Sequence, residues 1–331
     1  MPLDPLNKTL LRLLSDHRFH SGTELAATLS VSRTAVWKHV RDLEALGLDI
    51  AAVSGKGYRL ASPLQWLDEA AIRADLNPAA AALLAKLELH DELDSTNTHL
   101  MRAAPNGAAT GTVCLAETQT AGRGRIGREW LSPFGSNVYL SLLWRFEDPS
   151  RAAGLSLAVG VAVVRALAGL GFGGAGLKWP NDVLWGESKL GGILLEVAGE
   201  AHGSCAVVIG VGLNRHIPAS VGRAIDQAWA DLAGIAGGAA PPPRNRLIAA
   251  LLNELLPLVA DYEEYGLASW LPEWRRFHRF QSREAVVHIG EAHIRGRIAD
   301  VSDEGLLVLE CEDGGLRRFA SGDVRLRVAG D

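Results

Sequence analysis

Seven consecutive residues, Gly122-Arg123-Gly124-Arg125-Ile126-Gly127-Arg128, set three glycines among three arginines in a pattern that no packed core uses. Glycine lets a backbone turn sharply and approach a ligand, and each guanidinium offers a planar fork of donors that matches phosphate or carboxylate oxygens. By itself the run is an anion-binding loop or a solvated basic turn. Other clusters accompany it. Asp94-Ser95-Thr96-Asn97 is dense in small hydrogen-bonding side chains, suited to polar ligand contacts or to a helix N-cap. Glu117-Thr118-Gln119-Thr120-Ala121 leads from a strand into the glycine-arginine run. Lys178-Trp179-Pro180-Asn181-Asp182 is followed by Lys189-Leu190-Gly191-Gly192-Ile193, where a lysine beside a glycine pair can set a compact charge against a phosphate or carboxylate. Gly210-Val211-Gly212-Leu213-Asn214 is expected to end a strand in a turn with an open backbone; it lacks the third glycine and the helix of a dinucleotide fingerprint.

These clusters need elements to hold them. Residues 6–60 are expected to form three helices and a hairpin. Leu6, Leu10, Leu13 and Leu14 give the first helix an apolar face. Ser21-Gly22-Thr23-Glu24 is a capping box for the second, with Leu25 and Leu29 inward. Ser30-Val31-Ser32 is a turn, and Ser32 caps a third helix whose buried stripe is Val36, Val40 and Leu43. Arg33, Thr34, Trp37, Lys38 and Arg41 are left on the opposite face, which is the requirement for a recognition helix. Ser54-Gly55-Lys56-Gly57-Tyr58 follows as a wing tip whose lysine suits a phosphate contact; a helical docking domain with solvated charges is the alternative. Between 63 and about 266, apolar strand-like runs at 112–116, 137–143, 192–196 and 206–210 alternate with helices at 155–170 and 247–262, giving an α/β or α+β domain with one mixed sheet. Residues 232–243 form a loop within it. Ile217, Val221, Ile225 and Trp229 recur every four residues and suggest a helical face that closes over a ligand. Five short strands from 285 onward suggest a small β-barrel.

With 331 residues, 48% hydrophobic and 21% charged, the chain has the composition of a folded globular protein rather than a disordered one. Eight basic against six acidic side chains leave +2 in residues 1–61, so the remainder carries −7 of the total of −5. That asymmetry favours a nucleic-acid-facing N-terminal end. Cys114, Cys205 and Cys311 are too far apart in sequence for a disulfide framework or close-spaced metal ligands, and a reducing cytoplasm is expected. The most apolar run, 155–172, contains Arg165 and several glycines, as expected of a buried helix rather than a membrane span.

In their order, these clusters resemble those of biotin protein ligases, and the winged helix makes the chain similar to the bifunctional kind that also represses the biotin operon. The resemblance implies an α+β multidomain protein: a winged helix-turn-helix in 1–62, a class II synthetase-like mixed-sheet ligase domain in 63–275, and an SH3-like β-barrel in 276–331. It implies that biotin and ATP give biotinyl-5′-AMP and pyrophosphate, after which a lysine of a biotin carboxyl carrier domain of an acyl-CoA carboxylase takes the biotinyl group.

By the same resemblance Arg123, Arg125 and Lys189 are catalytic, and biotin meets Ser95, Thr96, Asn97, Gln119, Arg123, Gly124, Arg125 and Lys189. ATP and the adenylate would meet Gly122, Arg123, Arg128, Trp130, Lys178, Asn181 and Asn214. The chemistry agrees, since a carboxylate approaching a polyphosphate gathers negative charge that needs neutralising, and a ureido ring asks for groups that donate and accept. Trp130 and Trp179 would wall the pocket. Asp182 is a candidate for Mg²⁺ or for a structural role in its turn. Ser32, Arg33, Thr34, Trp37, Lys38, Arg41 and Lys56 would contact operator DNA, with a homodimer forming on biotinyl-AMP and no membrane involved. A lipoate-type ligase shares the fold but would lack the arginine loop with this winged helix. A ligand-sensing regulator without catalysis would need neither Lys189 nor three arginines.

Overall fold

The computed structural model describes residues 4–16, 18–61, 64–198, 204–321 and 324–328. Asp4 caps α1 (Pro5–Leu14), and proline at its first position suits a turn whose N–H groups have no partner. Leu10, Leu11 and Leu14 form its buried face, while Leu6 is 37% exposed. Asn7 takes the inward place because its side-chain oxygen meets His39 Nδ1 at 2.8 Å. The Ser21–Glu24 capping box opens α2 (Gly22–Leu29), and Ser32 Oγ accepts from Ala35 N to open α3 (Arg33–Ala45). Val36, Val40 and Leu43 pack inward from α3. The hairpin of β1 (Ile50–Val53) and β2 (Gly57–Leu60) completes the unit. Gly57, at φ +102, sits where a Cβ would lie 1.9 Å from His20 O, because the backbone of His20 pairs with Tyr58 in a single antiparallel bridge.

The boundary expected at 62/63 lies outside the described residues. Beyond it come α4 (Glu69–Ala74), α5 (Pro78–Leu83), β3 (Lys86–Leu93), α6 (Thr96–Ala103), β4 (Thr112–Gln119), β5 (Val138–Phe146), α7 (Leu155–Gly169), β6 (Ala175–Lys178), β7 (Asp182–Trp185), β8 (Ser188–Ala198) and β9 (Cys205–Leu213). The seven strands form one mixed sheet in the order β3-β4-β5-β9-β8-β7-β6, parallel only between β3 and β4. Short α8 (Ala219–Gly222) and α9 (Leu232–Ile235) precede α10 (Arg244–Tyr265). The apolar helices α7 and α10 pack together, with Val159, Val163, Leu251 and Leu255 wholly buried in the main core.

Two sequence expectations are corrected here. The 232–243 loop begins with a helical turn, capped by Asp231. The four-residue spacing of 217–229 does not make one helix: only Ala219–Gly222 is helical. Proline at 218 and glycine at 222 favour a short turn, and the chain beyond runs alongside Lys189, which donates to Ala228 O and accepts from Ala230 N.

Then α11 (Leu271–Phe277) spans the division expected at 275/276 and leads into β10 (Glu284–Ile289), β11 (Ala292–Val301), β12 (Leu307–Cys311), β13 (Leu316–Phe319) and β14 (Val324–Val328). These make a five-stranded antiparallel sheet. His278 sits at the junction, its ring stacked 4.6 Å from Trp274 and its backbone beside Leu177 of β6. Burial pushes its pKa down to about 4, so the folded protein holds this ring neutral. The unfolded chain takes up a proton near pH 6.5, so stability is full above that pH and falls as pH drops toward 4. Across this window the loss is on the order of 2–3 kcal/mol. Guanidinium midpoints measured from pH 7 to 4 should therefore slope less steeply in His278→Phe than in the unsubstituted protein.

Candidate active site

The polar end of the site is built where α6 meets the sheet. Ser95 Oγ accepts from Thr98 N as the N-cap, which turns Thr96 and Asn97 inward, each only 4% exposed. Thr96 donates from its backbone N (2.9 Å) and its hydroxyl (3.2 Å) to Gln119 Oε1. Ser141 Oγ, wholly buried in β5, lies 2.7 Å from Thr96 Oγ1 and 2.6 Å from Asn97 Oδ1. Asn97 Nδ2 donates to Leu194 O and to Glu196 Oε2, and the same Glu196 oxygen accepts from Arg123 Nη2 at 2.9 Å. Gln119 Nε2 donates to Ser132 Oγ. Small groups that donate and accept are thus packed at one place, next to an ion pair.

The 122–128 segment folds as a tight hairpin: Arg123 pairs with Glu129, and Gly124 N donates to Arg128 O at 2.7 Å. Ile126 holds φ 55 and is 40% exposed at its tip. A Cβ on Gly122 would lie 2.4 Å from Trp130 O, so glycine is needed where the hairpin closes. Trp130 then lies over the sheet. A Cβ on Gly212 would meet its ring at 2.6 Å, and one on Gly210 would meet Asn97 Oδ1 at 2.3 Å. The expected open turn at 210–214 is therefore corrected. Gly210 and Gly212 are two steps apart inside β9, on one face, and provide bare seats for Asn97 and Trp130. Lys189 Nζ lies 5.7 Å from the Trp130 ring and 2.8 Å from Asp182 Oδ1. Arg125 Nη1 donates to Asn181 Oδ1 at 3.2 Å.

Relatives match the chain along nearly its whole length. The HTH domain family matches residues 6–59, the Biotin/lipoate A/B protein ligase family residues 90–214, and the Biotin protein ligase C terminal domain residues 287–327. The bifunctional ligase/repressor BirA of Escherichia coli (strain K12) is 38% identical over 323 residues, 97% of each chain. That of Bacillus subtilis (strain 168) is 32% identical over 97% of this chain and 98% of its own. The chain belongs to the bifunctional biotin ligase/repressor family. The biotin protein ligase from Aquifex aeolicus, solved in complex with biotin and ATP, matches 74% of this chain and 100% of its own with a TM-score of 0.63 and 27% identity.

Within this ligase/repressor the remaining expected residues fall in different places. Arg128 is exposed on the return of the hairpin. Lys178 stands opposite Asp182 across β6 and β7, its ammonium 5.3 Å from the Phe280 ring. Asn214 spends its amide on the carbonyls of Lys189 (3.4 Å) and Ala230 (3.1 Å), so it ties the 228–230 segment to the start of β8. Trp179 does not wall the pocket. It is 1% exposed, and its indole N–H donates to Gly305 O in the C-terminal sheet unit. Trp229 turns back on Gly222, donating to its carbonyl at 3.2 Å. Sequence reasoning missed Glu196, Ser141 and Ser132; a buried serine within an apolar strand was the one signal available.

The other end of the ligase/repressor offers a solvent face. Arg33, Thr34, Trp37, Lys38 and Arg41 are exposed on α3, with Ser32 at its cap and Trp37 55% exposed. Lys56 at the wing tip and Arg59 beside it sit 5.9 and 4.7 Å from the Phe19 ring. Among the described residues no helix is long and apolar enough to cross a membrane.

Proposed function

We propose that this ligase joins biotin to ATP in the space between Thr96, Gln119, Trp130 and Lys189. The observation that carries this reading is the convergence of an uncharged polar cluster and a lysine on one face of the sheet, with the arginine hairpin above. Thr96, Asn97 and Gln119 would receive the ureido ring, with Ser141 adjusting its one hydroxyl proton. Trp130 would cover the tetrahydrothiophene ring and chain. A biotin carboxylate oxygen then attacks the α-phosphorus, and pyrophosphate leaves. Lys189, Arg123 and Arg125 offset the charge that gathers there, in a site shielded from water. For this Lys189 turns from Asp182 to the substrate carboxylate. Mg²⁺ typically takes one or two protein carboxylates plus substrate phosphates, and the freed Asp182 suits that count. Gly122, Arg128, Lys178, Asn181 and Asn214 would border the nucleotide. In the second step the amine of the acceptor lysine attacks the acyl carbon and AMP departs, so the enzyme mainly positions and protects. The acceptor is a biotin carboxyl carrier domain of an acyl-CoA carboxylase.

Mixing the purified chain with ATP, magnesium and either biotin or lipoate tests this. Biotinyl-AMP by mass is the expected product. Biotin binding without adenylate would leave a sensor, and lipoyl-AMP would make it a lipoate-type ligase.

On the DNA side, α3 would enter a major groove and Lys56 would meet a phosphate, with the adenylate-bound protein dimerising to present two winged helices to a two-fold operator. A physical link supports coupling: residues 130–134 run from the arginine hairpin into the winged-helix core, where Phe134 is wholly buried in the same apolar cluster as Leu10 and Leu43. Phe134 N also donates to Leu46 O. Lys56→Ala should weaken operator binding at all sequences and reduce the slope of log K against log salt by about 1 per subunit. A full slope after that substitution would remove Lys56 from the interface.

A further inference from the structure

β3 is an edge of the seven-stranded sheet, and three elements bring four metal-ligating side chains together on its α6-covered face. Glu88 and His90 stand two residues apart on β3 and so share a face. Cys114 is the register partner of Glu88 on β4. His99 descends from α6, two residues beyond Asn97. One ligand atom from each of the four lies within 4.8 Å of all the others. Glu88 Oε2 is 2.7 Å from His99 Nε2 and 3.8 Å from His90 Nε2, and Lys86 holds the other Glu88 oxygen at 2.6 Å, leaving Oε2 to the cluster. His90 Nε2 is buried with no hydrogen-bond partner. Cys114 is wholly buried in one apolar cluster with Leu100, Ala104 and Leu143, while the two histidines are about one-third exposed, which gives an ion its way in.

We propose that Glu88, His90, His99 and Cys114 form a Zn²⁺ site that staples α6 to β3 and β4. Zn–N bonds of about 2.0–2.1 Å and Zn–S bonds of about 2.3 Å put tetrahedral ligand atoms roughly 3.3–3.8 Å apart, so side-chain adjustments of about 1 Å close the cluster on an ion. Thiolate and imidazole are ligands that suit zinc. One carboxylate and one thiolate neutralise the dication; the Cys114 proton passes to solvent as the Zn–S bond forms. The staple would fix the helix whose first turn carries Thr96 and Asn97, and it stands whether or not those residues receive biotin.

The full-length protein, freed of metal with a chelator, should bind one Zn²⁺ per chain in equilibrium dialysis. Co²⁺ in its place should give the visible bands of a tetrahedral centre and a thiolate-to-cobalt charge-transfer band. Cys114→Ser should remove the charge-transfer band. His99→Gln, at a part-exposed position, should weaken binding more than about 100-fold, beyond the roughly 10–100-fold loss typical of an outer partner. Zn²⁺ at a hundredfold excess over Kd should raise Tm by about 5 °C, and His99→Gln should abolish the rise. Lack of retained metal, a Co²⁺ adduct without the thiolate band, or equal affinity in His99→Gln would each overturn the assignment.

Discussion

Lys189→Ala is expected to slow formation of biotinyl-AMP by about a hundred- to a thousandfold, the cost of removing one preorganised donor from a site of developing negative charge. The ammonium rests 2.8 Å from Asp182 and is only 16% exposed, so an ion pair holds it within the site until the substrate carboxylate takes the place of Asp182. Its removal should fall unevenly on the two half-reactions. Adenylation brings a carboxylate against a triphosphate and needs the cation; transfer starts from an activated anhydride and needs it much less. Single-turnover assays would separate them: biotin plus ATP on one side, supplied biotinyl-AMP plus acceptor on the other. An equal loss in both would mean that Lys189 holds the ligand throughout and does not act in the first step. Asp182→Asn is the control. It keeps the lysine and loosens only its resting position, so its deficit should be smaller and should grow with lower magnesium if the carboxylate also meets the metal.

The parts of this molecule that were legible in the sequence are those whose cause is local. The Ser21 and Ser32 caps, the α3 stripe and the short C-terminal strands each depend on residues within a turn or a strand of one another, and the structure places them within a residue or two of expectation. Thr96, Asn97 and Gln119 were legible because their motifs are compact. Their partners were not: Ser141 lies 45 residues from Thr96 and Glu196 lies 99 from Asn97, and these meet only once β9 has brought β5 and β8 to its two sides. Local patterns also misled. The four-residue spacing of 217–229 imitates a helix, yet backbone pairing with Lys189 overrides it, and Trp179 lies within a ligand-like motif but is used to reach the C-terminal unit. The metal-ligand cluster was invisible for the same reason, since Cys114 is 15 residues beyond His99 and 26 beyond Glu88 in sequence and adjacent only through the β3–β4 register.

The largest stability loss should follow Glu117→Leu, about 3–5 kcal/mol, because it strands a buried guanidinium. Arg244 at the start of α10 is wholly buried and paired with Glu117, itself 2% exposed at the end of β4. Neither partner serves only the other. Glu117 Oε1 accepts from Leu67 N at 2.7 Å, and Arg244 Nη1 donates to Gln65 O at 3.0 Å. Arg244→Met with Glu117→Leu should therefore cost less than the two single losses added together, since no unpaired charge remains. It should still cost about 1–3 kcal/mol for each backbone group left without a partner. A double-mutant cycle by denaturant unfolding measures this coupling, and strict additivity would refute it. The loss should also reach the DNA-binding end. Residues 64–67 are the strap that follows the wing, and Trp66 packs edge-on to Phe134 at 5.5 Å with Arg12 of α1 5.6 Å from its ring. Loosening the strap should uncouple the winged helix from the ligand hairpin, so that in the Glu117→Leu, Arg244→Met double variant, which leaves no unpaired charge but frees Leu67 N and Gln65 O, biotinyl-AMP raises operator affinity less than it does in the unsubstituted protein.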